Sequence, residues 1–362
     1  MLPKLRQLLD LGQSVWIDFI RRSFIASGEM QNLVDQGVRG MTSNPTIFEK
    51  AIAGSSDYDA EMRTLIQAGK SVQEIYEGLA FADIRQAADI LRSIYDESGG
   101  QDGFVSLEVN PKLAHETAGT IAEVQRLFSA VNRPNLMVKI PATPAGVPAI
   151  EESIHKGINV NVTLIFSLAQ YEAVANAYLR GLGKLAAAGG NLTRVASVAS
   201  FFVSRVDTMV DAELAKLGVS HLQGKTAVAN TKLAYACFKD IFSGRRWEKL
   251  AAQGARFQRP LWASTSTKNP AYSDTLYIDP LIGPYTVNTL PPAALQAFLE
   301  HGVVELTIEK NLEQEHAHMT RLTEAGIDLP AVTHRLQEDG VRAFTESFES
   351  LLKSIAEKQE RI

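Results

Sequence analysis

The sequence predicts an α/β protein: a (β/α)8 TIM barrel with a helical insertion after strand two and a helical extension at its C-terminal end. Three observations carry this. Eight short β-branched or apolar runs alternate with longer helical stretches, the pattern of βαβ units around a parallel sheet. An open nucleotide-binding sheet would want a glycine-rich turn after its first strand. Here Asp18 is followed by Phe19-Ile20-Arg21-Arg22-Ser23, with no glycine until Gly28, which favours the closed barrel. Finally, 362 residues suit a barrel of roughly 250 residues with additions.

The candidate strands lie at 14–18, 37–43, 103–109 and 135–141, then at 159–166, 194–202, 259–266 and, more weakly, 285–290. Before the first, Leu5, Leu8 and Leu9 have helical spacing. Residues 47–102 read as mostly helical and separate strands two and three. After the fifth strand, Leu168, Tyr171, Ala175, Tyr178 and Leu182 recur three and four apart, one face of a helix. The chain is helical again after about 293. There Phe344, Phe348, Leu351, Leu352 and Ile355 form a stripe that reads as packing against the barrel. One domain is expected over 1–362, with the barrel at about 13–300 and C-terminal helices at about 301–358.

Hydrophobic residues make up 45% and charged residues 21%, enough for a sizeable core and against disorder. The net charge of −5 gives no global pull towards nucleic acid. A single cysteine, Cys237, excludes an internal disulfide framework and any multi-cysteine zinc site. No apolar run approaches the roughly 20 residues that span a bilayer. The charges near the N-terminus sit among the apolar positions, unlike a signal peptide. A cytoplasmic enzyme without a membrane partner is expected.

Strands covered on both faces should read as continuous apolar runs. These are interrupted, and the interruptions come late. Val15 and Ile17 share one face of the first strand, Trp16 and Asp18 the other. The second runs into Thr42-Ser43-Asn44-Pro45, and the third carries Glu108. Met137 and Lys139 oppose Leu136, Val138 and Ile140. Asn159, Asn161 and Thr163 oppose Val160, Val162 and Leu164. Ser200 closes the sixth strand, and the seventh holds Ser264 and Ser266. In a barrel, the C-terminal strand ends and their loops build the site. The alternation therefore places Asp18, Asn44, Glu108, Lys139, Thr163, Ser200 and Ser264 around one mouth. Any one of them could be bland: Asp18, Ser200 or Ser264 could instead cap a helix. Together they are costly to bury without a task or a partner.

Lys139 is the sharpest case. It could be a snorkelling surface lysine, or a structural ion pair with Glu108 or Asp18. A strand covered by helices leaves little room to snorkel. Burial disfavours an ammonium ion, and a neutral amine can attack a carbonyl to form a Schiff base.

These residues resemble the transaldolase family, class I (Schiff-base) enzymes of the pentose phosphate pathway. The matching elements are Asp18 closing strand one, Thr42-Ser43-Asn44-Pro45-Thr46, Ser106-Leu107-Glu108-Val109 and Val138-Lys139-Ile140-Pro141. Asn159 through Ser167 and Ser200-Phe201-Phe202-Val203-Ser204-Arg205 match as well. The likeness covers about residues 14 to 290, more loosely the tail. It implies a (β/α)8 barrel with Lys139 as the imine-forming lysine on strand four. Asp18 would be the acid/base at the cleaved carbon–carbon bond, and Glu108 would act through a water that Thr163 helps to place. Thr42, Asn44, Asn161, Ser200, Phe202 and Ser264 would line the substrate. Asn44 and Asn161 would hold hydroxyls of a three-carbon fragment, and Arg205 would bind the sugar phosphate. The family's second phosphate arginine, in a Ser-Phe-Arg element, is missing: the chain reads Ala263-Ser264-Thr265-Ser266-Thr267-Lys268. Ser266 or Lys268 stands in its place. Aldolase-like relatives carry a Tyr near Phe202, so the phenylalanine leans towards transfer. Phosphorylated sugars are the implied partners of a monomer or homodimer. No cofactor is implied, because the iminium itself is the electron sink.

Two rivals follow from the same residues. One is a class I fructose-6-phosphate-type aldolase that releases free dihydroxyacetone. The other is a metal-dependent barrel lyase using Asp18 and Glu108, although such sites usually recruit histidine and the seven histidines avoid the strand ends. Other motifs read as bland. Gly224-Lys225-Thr226 lacks the first P-loop glycine and reads as a loop before a helix. His316 and His318 are two apart on a helix and read as surface residues. Cys237 reads as core, and Asn161-Val162-Thr163 as a buried, unmodified sequon.

Overall fold

The computed structural model describes residues 1–361. Its strands are β1 (Gln13–Asp18), β2 (Met41–Thr42), β3 (Val105–Glu108), β4 (Leu136–Pro141), β5 (Val160–Ile165), β6 (Ser197–Phe202), β7 (Gln258–Ala263) and β8 (Thr286–Leu290). All pair in parallel in chain order, and β8 pairs with β1, so the sheet closes into an eight-stranded barrel. Every residue of β4, β5, β6 and β8 is buried, as expected of strands with side chains inside and helices outside.

Seven of the eight expected strands are longer in the sequence reading than in the fold, and for three of them the backbone gives the reason. The run at 37–43 yields only Met41–Thr42. Gly37 closes the preceding helix at φ 121°, and Gly40 lies under the Trp16 indole, where a Cβ would stand 2.5 Å from the ring. The run at 194–202 starts at Ser197 because Leu192–Arg194 is a 3-10 turn, held by the Asn191 Oδ1 acceptor on the Thr193 amide. The run at 259–266 stops at Ala263 because Ser264 adopts φ 55°, a left-handed conformation that ends extended pairing.

Between β2 and β3 the chain forms helices Pro45–Ala53, Asp59–Gln67, Val72–Ile90 and Arg92–Glu97, the expected insertion. On helix Leu168–Ala187, Tyr171, Ala175, Tyr178 and Leu182 are buried. Leu168 is exposed, since it is the first helical residue, next to the Ser167 capping box. The terminal helix, Leu329–Arg361, buries Phe344, Phe348, Leu351 and Ile355. Leu352 is only partly buried.

One side-chain expectation is overturned. His318 is buried, its Nε2 3.0 Å from the Thr226 hydroxyl, and burial holds its pKa down at about 4. A histidine two residues from exposed His316 turns inward because helix Leu312–Glu324 packs on helix Thr226–Ile241. Cys237 is half-buried, and desolvation pushes its thiol up to about 11.

The N-terminal end of the barrel is tied by one arginine. Arg259 donates to the Gln101 and Thr286 carbonyls, Asp102 Oδ1 and Ser14 Oγ at 2.7–3.1 Å. Asp102 also accepts from Ser14 Oγ at 2.6 Å and Trp16 Nε1 at 3.1 Å. Strands β1, β7, β8 and the segment before β3 therefore share one charge-assisted node.

Candidate active site

The strand register brings the expected polar residues together. Glu108 on β3 pairs with Lys139 on β4, which pairs with Asn161 on β5. Asp18 on β1 pairs with Thr42 on β2. A row of polar side chains thus crosses neighbouring strands at one level of the barrel. Strands β1, β2 and β3 end at this row, β4 runs two residues further and β5 four; the chain then leaves for a helix or loop, and the mouth opens there.

Lys139 is 4% exposed. Its Nζ donates to the Ser43 carbonyl at 3.0 Å and stands 3.4 Å from Glu108 Oε2. The pair is almost fully buried on both sides. Burial raises the Glu108 carboxyl above its ordinary range, Lys139 pulls it down, and Asp18 pushes it up again. Asp18 is likewise raised, first by burial, and is held back by the Thr42 hydroxyl and by Lys139. Two carboxyls whose ionised forms burial disfavours thus stand beside one amine, an arrangement that suits proton transfer.

Asp18 is oriented by a relay the sequence reading did not include. Thr42 Oγ1 donates to Asp18 Oδ1 at 2.6 Å and lies 2.7 Å from Thr289 Oγ1. Having given its proton to Asp18, Thr42 must accept from Thr289. Thr289 sits late in the weak eighth run, the same strand-end position that marked the other residues.

A cavity of about 190 Å³ opens above this row. Asp18, Thr42, Asn44, Lys139, Thr163, Ser200, Phe202, Arg205, Ser264 and Lys268 all line it, with Ser266, Thr289, Pro291 and Phe344. Asn44 Oδ1 caps helix Pro45–Ala53 by accepting from the Ile47 amide at 3.0 Å, which leaves its NH2 to donate. Ser264, at φ 55°, is 3.0 Å from Ser204 Oγ. Left-handed non-glycine backbone of this kind gathers at functional sites.

Two expected contributors stand outside the wall of this cavity. Asn161 is fully buried, donating to Ser106 Oγ at 2.9 Å and accepting from Ser200 Oγ at 2.7 Å. Both ends of its amide are engaged one layer below the mouth, so here it positions Ser200. Glu108 instead borders a separate pocket of about 20 Å³, about the room one water needs. Glu108 Oε2 and Thr163 Oγ1 are both buried without a hydrogen-bond partner. They come from the strands on either side of Lys139. Buried polar atoms are normally paired, so this pair marks spare hydrogen-bonding capacity beside the amine.

The cationic side of the cavity is Arg205 and Lys268. Arg205 is half-buried over the Phe202 ring, 5.5 Å from its centroid, and desolvation lowers its pKa. Lys268 is exposed at the rim and donates to Ser266 Oγ at 2.8 Å. Among the described residues no three His, Cys, Asp or Glu side chains converge as metal ligands do. A larger cavity, about 620 Å³, lies at the opposite end of the barrel. Its arginines, Arg256 and Arg259, are already spent on backbone carbonyls and the Asp102 node.

The geometry can hold a phosphorylated carbonyl compound against a buried amine flanked by two carboxyls. Comparison with known proteins points the same way. The family model described as Transaldolase/Fructose-6-phosphate aldolase matches residues 15–355. A transaldolase of Parafrankia sp. (strain EAN1pec) is 51% identical over 99% of this chain and 98% of its own. The transaldolase of Trichodesmium erythraeum (strain IMS101) is 46% identical, again over 99% and 98%. That of Thermobifida fusca (strain YX) is 48% identical over 98% of each chain.

Proposed function

The chain belongs to the transaldolase/fructose-6-phosphate aldolase family, and from that premise we propose how its own residues carry the reaction. The activity is transaldolase: a dihydroxyacetone unit passes from a ketose phosphate to an aldose phosphate through a lysine Schiff base. The observation that carries the residue assignment is Lys139, a buried amine 3.4 Å from a carboxylate at the floor of a polar cavity.

Lys139 attacks the ketone of fructose 6-phosphate or sedoheptulose 7-phosphate. Glu108, whose Oε2 stands 3.4 Å from the amine, handles protons through a water held by Thr163 as the carbinolamine dehydrates. The iminium withdraws electrons from the adjacent bond. Asp18 takes the proton of the hydroxyl on the far carbon, and the carbon–carbon bond breaks. Glyceraldehyde 3-phosphate or erythrose 4-phosphate leaves and is exchanged for the acceptor. Thr42, Asn44, Ser200, Ser264 and Phe202 shape the wall around the fragment, with Asn161 behind Ser200. The substrates are phosphorylated sugars, which do not cross membranes unaided; this supports a cytoplasmic site of action. We propose a monomer or homodimer as the working unit.

Borohydride reduction in the presence of fructose 6-phosphate, followed by peptide mass spectrometry, tests the assignment. A three-carbon adduct on Lys139 is expected. An adduct on another residue, or none, would sink it.

Arg205 and Lys268 are assigned to the phosphate. A charge-assisted hydrogen bond is worth about 1.5–3 kcal/mol. Arg205→Ala should therefore raise KM for the phosphorylated donor by roughly 10- to 100-fold, with a smaller change in kcat. Lys268, exposed and flexible, should cost less, about threefold to tenfold. Steady-state kinetics with fructose 6-phosphate and unphosphorylated fructose check this. Equal losses for both sugars would count against a phosphate role.

A further inference from the structure

The terminal helix brings one side chain into the cavity that no polar pattern marks. Phe344 is 3% exposed, and its ring centroid is 5.9 Å from Lys139 Nζ. The helix is fastened on both sides of it. Gln337 Nε2, two turns earlier, donates to the Ala142 and Leu164 carbonyls at 2.9 and 3.0 Å. Ala142 follows the end of the lysine strand, and Leu164 is the residue after Thr163 in its neighbour. Gly340, one turn earlier, comes so near that a Cβ there would stand 2.8 Å from Leu164 Cδ2. Ser347, one turn later, is 2.8 Å from the Thr46 hydroxyl. Residues three, four and seven apart share one helix face, so the fastenings and Phe344 point the same way. A glycine inside a helix costs about 1 kcal/mol against alanine; here it permits the close approach.

We propose that Phe344 sets the choice between transfer and hydrolysis by covering the three-carbon intermediate on Lys139. This rests on the Schiff-base reading above. Once the aldose phosphate leaves, the fragment is an enamine with two fates. Its carbon can attack the aldehyde of an acceptor. Alternatively, that carbon takes a proton, water adds to the resulting iminium carbon, and the carbon–nitrogen bond breaks. The second path consumes one water, releases free dihydroxyacetone and returns the amine. An apolar ring beside the nitrogen keeps water from that carbon while the mouth waits for the acceptor. Closed, water-poor sites suppress hydrolysis of reactive intermediates in this way.

The test compares free dihydroxyacetone released from fructose 6-phosphate with fragment transferred to erythrose 4-phosphate. This ratio is independent of the fraction of protein that is folded. Phe344→Ala is expected to raise it about tenfold, and Phe344→Leu, which keeps an apolar cover, to restore it to within about twofold. Gln337→Met frees the helix without shortening Phe344 and should shift the ratio in the same direction. Ile355→Ala serves as a control on the same helix, because Ile355 is buried three turns beyond Phe344 and lines neither the cavity nor the pocket beside Glu108, so it should leave the ratio near its starting value. An unchanged ratio in both Phe344→Ala and Gln337→Met overturns the proposal, as does an equal rise in Ile355→Ala. Failure to trap any adduct on Lys139 overturns the Schiff-base reading and this proposal with it. A normal adduct with an unchanged ratio overturns only the part given to Phe344.

Discussion

Lys139→Ala should lose turnover by on the order of 10⁴-fold or more while the barrel stays folded. The loss is large because the amine forms the covalent bond on which every later step depends, and no other group can supply it. The fold should survive because the lysine side chain faces the cavity and the other residues of β4 are buried apolar ones. Its removal leaves Glu108 without the charge that pulls its carboxyl down. The folded-state pKa of Glu108, already raised, should rise further. A raised folded pKa gives stability that is complete below the unfolded value and is lost as pH rises through the folded one. The variant should therefore compare worst with the parent at pH 8 and best at pH 5, a trend that thermal melts across that range would show. Near-normal transfer by folded Lys139→Ala would refute the assignment.

Asp18→Asn should separate imine formation from bond cleavage. Asparagine keeps the shape and can still accept from Thr42, but it cannot take a proton. Loss of a general base costs about 10²- to 10⁴-fold. With fructose 6-phosphate and borohydride, Lys139 of this variant should carry the intact six-carbon phosphate in place of the three-carbon fragment. The mass difference reads the step directly. Three-carbon adduct at the parent rate would move the cleavage role away from Asp18. The parent enzyme should also slow as acid pH protonates Asp18, at a pH above the ordinary aspartate range, because burial raises this carboxyl.

Most of the mouth was legible because a strand alternates its side chains with period two. A polar residue late in an apolar run stands out against that period, which is why Asp18, Thr163, Ser200 and Lys139 could be placed together. Period alone does not give depth. Asn161 shares the face of Thr163 but lies two residues lower, where its amide is consumed by Ser106 and Ser200. Thr289 was hidden by the weakness of its run, and its role depends on Thr42, which is remote in sequence. Phe344 belongs to the C-terminal stripe, whose spacing predicts packing. An apolar stripe has the same spacing whether its residues face a core or a cavity, and only the placement of the helix separates them. Strand ends at 37–43 and 259–266 were overrun because positive φ at Gly37 and Ser264 is set partly by tertiary contacts.

The Arg259 node has a consequence for how such a protein can change. Ser14 and Asp18 are four positions apart on β1, roughly 13 Å along the strand. One end of that strand anchors the sheet and the other presents the carboxyl to which bond cleavage is assigned. Buried charge at the mouth is an expense in stability, and a satisfied network at the far end helps to offset it. Mutational drift around the loops can then alter substrate preference while the anchor keeps the chain foldable. Damage to the anchor should be felt everywhere at once, as lost protein rather than altered chemistry.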